Sequence, residues 1–211
     1  MPCGFRCHRA FLQRTRGVVG ACFAPRRRRV YRVTIRRLNW GCGPAPAPGW
    51  INADRLSAPG LDVCGDISDG LALEEASIDY AVAMHGLQDV PYLDLVPALR
   101  ELRRVLRVDG VLRVGVPDLA RSIDAWQRGD RSYFYIRDDE VASIGGKLIV
   151  QAIWFGSTRT PFMWDFFQEL AAKAGFRHVR RCTFRQTESP WPEIVELDNR
   201  ERESLFAEAV K

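Results

Sequence analysis

A glycine turn and two aspartates are the residues whose types and spacing best suit chemistry. Val33 to Trp40 has the pattern of a strand, and Gly41-Cys42-Gly43 follows it directly. A Gly-x-Gly turn at such a place lets the backbone approach a ligand closely, because no Cβ intervenes and positive φ is open to it. Alone, the turn says little. Asp54 closes a second short strand pattern, Gly49 to Asp54, and Asp66 closes a third, Leu61 to Asp66. In a parallel sheet both acids fall on the same carboxyl edge as the glycines. An acid at the end of the second strand can accept two hydrogen bonds from ribose hydroxyls, and one at the end of the third can accept from an adenine amine. Either acid taken singly fits a solvated turn equally well. The three features in succession favour a nucleoside-bearing ligand.

The elements that must hold these residues alternate between strand and helix. Ile78 to Met84 reads as a fourth, more apolar and therefore central strand. After Pro91 the residues Leu95, Leu99, Leu102 and Leu106 form one apolar stripe, with Arg100, Arg103, Arg104 and Arg107 on the outer side of a helix. Val108-Asp109-Gly110 reads as a turn, and Val111 to Val116 as a fifth strand. Thr160-Pro161 has the form of an N-cap and first helical residue, opening a helix that runs to Ala174 and stops at Gly175. Arg177 to Phe184 and Glu203 to Val210 are two closing strands with no helix between them, which predicts a terminal antiparallel hairpin. The expected fold is α/β: a Rossmann-like, seven-stranded, mostly parallel sheet with helices on both faces. Residues 119–158 fit the alternation least well and carry Trp126, Tyr133, Phe134, Tyr135, Trp154 and Phe155. Such an insertion lies over the carboxyl ends of the strands, either as a helical lid with its own core or as a cap that shapes a substrate site.

Composition sets the limits. The chain has 211 residues, enough for one α/β domain, and a formal charge of +5. That charge is unevenly placed. Residues 1–37 hold eleven arginines and no acid, the first acid being Asp54, so the remainder has 20 basic residues against 26 acidic ones, a balance of −6. A body of that sign argues against a nucleic-acid partner. Residues 1–32, centred on Arg26 to Arg29, are expected to be a poorly ordered tail preceding a domain at 33–211. The tail reads as an extension upstream of the true start, an anionic-surface or targeting segment, or a nucleic-acid arm. Gly17 to Ala24 is too short and glycine-broken for an export signal, and no apolar run reaches membrane-spanning length. Cys3, Cys7 and His8 lack a second pair at zinc spacing, so no metal is expected. Cys64 and Cys182 fall in apolar strand patterns as small buried thiols, and a reducing cytoplasm fits best.

Leu38-Asn39-Trp40-Gly41-Cys42-Gly43 followed by Gly49-Trp50-Ile51-Asn52-Ala53-Asp54 resembles the class I methyltransferases dependent on S-adenosylmethionine. The likeness is strongest to a subgroup of short members whose first motif reads Leu-Asn-Leu-Gly-Cys-Gly and continues to Gly-Trp-x-Asn-x-Asp. Ser77 to Tyr80, Leu99 to Leu106, Val116 to Leu119 and Leu197 to Arg200 extend the resemblance over residues 37–211. It implies that Gly41, Cys42 and Gly43 back the methionine portion of the cofactor, with Asn39 at the position where the first motif usually has an acid. It further implies that Asp54 holds the ribose, that Asp66 and the backbone of Ile67 hold the adenine, and that Met84 and His85 line the sulfonium side. Two departures stand out. Pro44-Ala45-Pro46-Ala47-Pro48 forbids the helix that customarily follows the turn. The subgroup's His-x-Leu-Glu-His is here His85-Gly86-Leu87-Gln88-Asp89.

The resemblance implies methyl transfer, and the acceptor expected under the 119–158 cap is a small molecule or saccharide. In that reaction the protein chiefly supplies proximity and alignment, and a base is needed only where the nucleophile carries a proton. His85 is the candidate base, with Asp89 and Asp118 as alternatives. Two other readings stay open: a non-catalytic partner or scaffold of the same fold, to which the Gln88-Asp89 departure points, and a nicotinamide-dependent oxidoreductase. The latter calls for a fuller glycine motif with a helix directly behind it, neither of which follows Gly43.

Overall fold

The computed structural model describes residues 34–211 apart from Ala45. The arginine-rich tail, its cysteines and Val33 of the expected first strand lie outside the described residues. Seven strands form one sheet in the order β3-β2-β1-β4-β5-β7-β6. They are β1 (Arg37–Trp40), β2 (Ile51–Asp54), β3 (Val63–Cys64), β4 (Ile78–Met84), β5 (Leu106–Pro117), β6 (Arg177–Cys182) and β7 (Ser204–Val210). β1 to β5 run parallel, and β7 is antiparallel to both β5 and β6, forming the expected closing hairpin. The chain order reverses between β1 and β4. That is the switch point at which open α/β sheets bind ligands, beyond the carboxyl ends of the strands.

The two faces of the sheet are covered unequally. On one, α1 (Tyr92–Val105) and α4 (Trp164–Lys173) share a core with Leu38, Ala81, Ala83, Leu112, Val116 and Ala207. Leu95, Leu99 and Leu102 of the stripe read from the sequence are fully enclosed on α1, but Leu106 and Arg107 belong to β5, because the backbone turns extended at Leu106. Each such leucine contributes ~1.5–3 kcal/mol. The opposite face carries a 3-10 turn, Pro192–Val195, and loops. Trp191 stacks on Tyr80 at 5.5 Å, and Trp50 meets the same ring edge-on at 5.4 Å. The proline run after β1 explains the imbalance, since it leaves no helix between β1 and β2.

Beneath that second face lies Arg113, which is wholly buried. It donates to Asp198 Oδ1 at 2.9 Å and Glu208 Oε1 at 3.0 Å, and to the carbonyls of Thr183 and Gln186. Asp198 also accepts from the amide of Arg185 at 2.8 Å. The connection from β6 to β7 is thereby pinned to the sheet at both its ends. Residues 119–158 hold α2 (Leu119–Gln127) and α3 (Ile144–Ile153), which close over a small core of Ala125, Tyr133 and Phe134.

Three local expectations need correction. The turn expected at Val108 to Gly110 is a bulge inside β5: Ile78 pairs with Leu106 and Tyr80 already with Val111, while Asp109 takes a φ of 62°. Thr160 does not cap α4, whose N-cap is Met163, because its hydroxyl donates instead to the Val90 carbonyl at 2.9 Å. Cys64 is exposed, since β3 is a two-residue strand at the sheet edge.

Candidate active site

The chain segments leaving β1 and β4 meet at the switch point. Gly41 has a φ of +72°, and a Cβ there would stand 3.2 Å from Gly86 Cα; one on Gly86 would stand 3.1 Å from the Trp40 ring. Only two glycines let these backbones cross so closely. The Gly41 amide donates to the Ala53 carbonyl at 2.8 Å, which ties the turn to the end of β2. Asp54 then closes it, accepting from the Gly43 amide at 2.8 Å and the Leu56 amide at 3.0 Å, one on each carboxylate oxygen. A carboxylate has about four acceptor sites, so two remain for a ligand. Asp66 caps a 3-10 turn, Ile67–Asp69, and accepts from the Ser68 amide at 2.9 Å. The hydrogen bonds from Ser68 hold its carboxyl below the usual range.

These residues border a cavity of about 350 Å³ that Gly41, Gly43, Asp54, Asp66, Ile67 and His85 line together. The volume lies in the ~300–1,000 Å³ range of small-molecule sites. Three other predicted cofactor residues stand behind it. Asn39 donates to Asn52 Oδ1 at 3.0 Å, and Asn52 in turn exchanges hydrogen bonds with Ala47, so this pair braces the proline loop. Met84 is buried in the second-face core. Cys42 is half-buried, and desolvation, followed by the charge of Asp54, raises its thiol pKa and keeps it a poor nucleophile. Arg55, Ser68 and Arg159 also line the cavity and were missed, because no spacing in the sequence brings residue 159 to the end of β2.

A second cavity, of about 200 Å³, adjoins the first: His85 and Asp89 line both. Its remaining wall comes from Gln88, from Leu119, Gln151 and Trp154 of the 119–158 segment, from Phe162, and from Arg200 and Glu203 of the pinned connection. The sequence offered no distance signal for Gln151, Arg200 or Glu203. Arg200 pairs with Glu203 at 3.6 Å and lies over the Trp154 ring at 5.7 Å. Burial raises the carboxyl pKa of both Asp89 and Glu203. Trp154 and Phe155 both have positive φ, a strain concentrated at this wall.

His85 sits at the end of β4 with a φ of 53° and its amide bonded to the Gly115 carbonyl at 2.8 Å. Desolvation, with a smaller push from Arg200, lowers its pKa to about 4, so the imidazole is neutral near pH 7. Its tautomer follows from Ser204. That hydroxyl donates to the Arg200 carbonyl at 2.7 Å, and its oxygen stands 3.1 Å from His85 Nε2. A carbonyl can only accept, so the single serine proton is committed and Nε2 must carry the hydrogen of this contact. Nδ1 is left with its lone pair, buried and without a partner. Asp118, the third predicted catalytic residue, lines neither cavity. It caps α2 through the Ala120 amide at 3.1 Å and pairs with Arg181 at 2.9 Å.

Residues 41–114 match the family model described as a methyltransferase domain. A SAM-dependent methyltransferase from Archaeoglobus fulgidus superposes with a TM-score of 0.51 at 11% identity, over 86% of this chain and 88% of that one. An S-adenosylmethionine-dependent methyltransferase from Mesorhizobium loti gives 0.50 at 18% identity, over 84% of this chain and 91% of that one. No curated protein matches the chain.

Proposed function

We propose that this class I, S-adenosylmethionine-dependent methyltransferase acts on a small-molecule or sugar-like acceptor held in the 200 Å³ cavity beneath residues 119–158. The observation that carries the reading is the common wall: His85 and Asp89 border both the cavity at the glycine turn and the one beside it. Methyl transfer needs two reactants brought into line, and two cavities meeting at one pair of side chains provide for that.

When bound, S-adenosylmethionine supplies a methyl carbon already activated by its sulfonium. The residues present fit it. The backbone at Gly41 and Gly43 backs the methionine portion, and the unused acceptor sites of Asp54 take the ribose hydroxyls. Asp66, with the backbone of Ile67, takes the adenine. Asn39, Cys42 and Met84 act from behind by fixing the turn and the end of β4. His85, neutral and with a free Nδ1 lone pair, is the group placed to accept a proton from the nucleophile, and Asp89 is its neighbour on the shared wall. Asp118 serves by anchoring α2, the first helix of the cap.

Three described cysteines, Cys42, Cys64 and Cys182, are free, which supports a reducing cytoplasm as the site of action. Among the described residues no helix is long and apolar enough to cross a membrane. The test is incubation of the full chain with methyl-labelled S-adenosylmethionine and a pooled small-metabolite extract. Label is expected in the small-molecule fraction, reduced by His85→Ala; label confined to nucleic acid or protein, or turnover by the variant that is unchanged across pH, contradicts the assignment.

A further inference from the structure

Three acceptors crowd one five-residue stretch at the junction of the cavities, and none has a donor. His85 Nδ1 is bare for the reason given by Ser204 and is enclosed without a partner. Gln88 is 7% exposed, and its amide orientation is fixed because Nε2 donates to the His85 carbonyl; turning it would set two oxygens face to face. Its Oε1 is therefore an acceptor, also enclosed and unpartnered. The Asp89 carboxylate has no hydrogen bond and no ion pair among the described residues, although Arg55, Arg159 and Arg200 all act on it at longer range. Arg200, the cation of the second cavity, is already engaged by Glu203 and the Trp154 ring.

Unpaired buried acceptors cost ~1–3 kcal/mol each, so a site that keeps two of them, His85 Nδ1 and Gln88 Oε1, beside the exposed and unpaired carboxylate of Asp89 has a ligand to satisfy them. A hydroxyl brings one donor, a carboxylate none, and an ammonium three. We infer that the acceptor is a primary amine whose nitrogen is held by His85 Nδ1, Gln88 Oε1 and the Asp89 carboxylate, with its apolar body against Trp154 and Phe162. This rests on the methyltransferase reading above.

The amine arrives as an ammonium paired with Asp89 and gives up one proton, which His85 Nδ1 accepts and then passes to solvent. Its lone pair then forms the nitrogen–carbon bond while the sulfur–carbon bond breaks, that electron pair staying on sulfur. The product leaves as the methylated ammonium, so one proton is released per turnover and charge balances.

The full chain saturated with S-adenosylhomocysteine is titrated by calorimetry with three probes of one shape: 2-phenylethylamine, 2-phenylethanol and phenylacetate. The amine is expected to bind about tenfold or more tightly than the alcohol, and phenylacetate weakest. Asp89→Asn and, separately, Gln88→Met are expected to narrow the gap between amine and alcohol. Equal binding of the three, preference for the alcohol or the carboxylate, or no binding of any overturns the amine assignment and leaves the methyltransferase reading standing. Failure to bind S-adenosylhomocysteine overturns both.

Discussion

The neutral, enclosed imidazole of His85 makes the folded protein sensitive to acid in a way that one substitution should remove. Its pKa falls from 6.5 to about 4 on folding. Between those values the unfolded chain holds a proton that the folded one refuses, so stability rises with pH across the window and is lost as pH falls through it. The full shift sets a ceiling of about 3 kcal/mol. Between pH near 7 and pH about 5 the linkage relation gives a loss of about 2 kcal/mol from this residue alone. His85→Asn removes the titration while keeping a residue type that tolerates positive φ. Urea unfolding of both proteins by tryptophan fluorescence at the two pH values isolates the term. Asp89, Glu203 and the other carboxyls titrate in both chains, and their contributions cancel in the difference. Wild type is expected to lose about 2 kcal/mol more than the variant on acidification. Equal losses would mean that His85 is not held neutral by burial, and the argument for its lone pair would fall.

Gly41→Ala forces a Cβ to 3.2 Å from the Gly86 backbone at a φ of +72°; about 1–2 kcal/mol of stability is lost, and affinity for S-adenosylhomocysteine drops about tenfold, both measurable by thermal shift and titration. Arg113→Met strands Asp198 and Glu208 in the core, and urea unfolding should show a loss of roughly 3–5 kcal/mol. Deletion of residues 1–32 should leave the cofactor affinity within about twofold, as expected of a site whose described lining lies beyond them; a larger loss in titration counts against the proposed domain boundary.

Much of this was readable because it is local. Ile78–Met84 was legible to the residue and the helix after Pro91 at its start, since an apolar run and a helical stripe need no knowledge of partners, but Leu106 and Arg107, read as its last turn, open β5. That Gly41, Asp54 and Asp66 come to one edge of the sheet was legible because strand ends in a parallel sheet fall together. What stayed hidden depended on distant contacts. Thr160 looks like a cap until Val90 claims its hydroxyl, and Asp118 looks catalytic until Arg181 and the Ala120 amide claim its carboxylate. Gln151, Arg200 and Glu203 reach one cavity from separate segments, the last two through a connection pinned by Arg113. The second cavity as a whole was therefore visible only as an aromatic-rich insertion.

Calorimetric titration of the full chain with S-adenosylhomocysteine, set beside NAD, separates a methyltransferase site from a nicotinamide site. One-to-one binding of S-adenosylhomocysteine, weakened by Asp54→Asn, is expected, with no heat from NAD. Binding of NAD without S-adenosylhomocysteine, or of neither, would contradict the methyltransferase site.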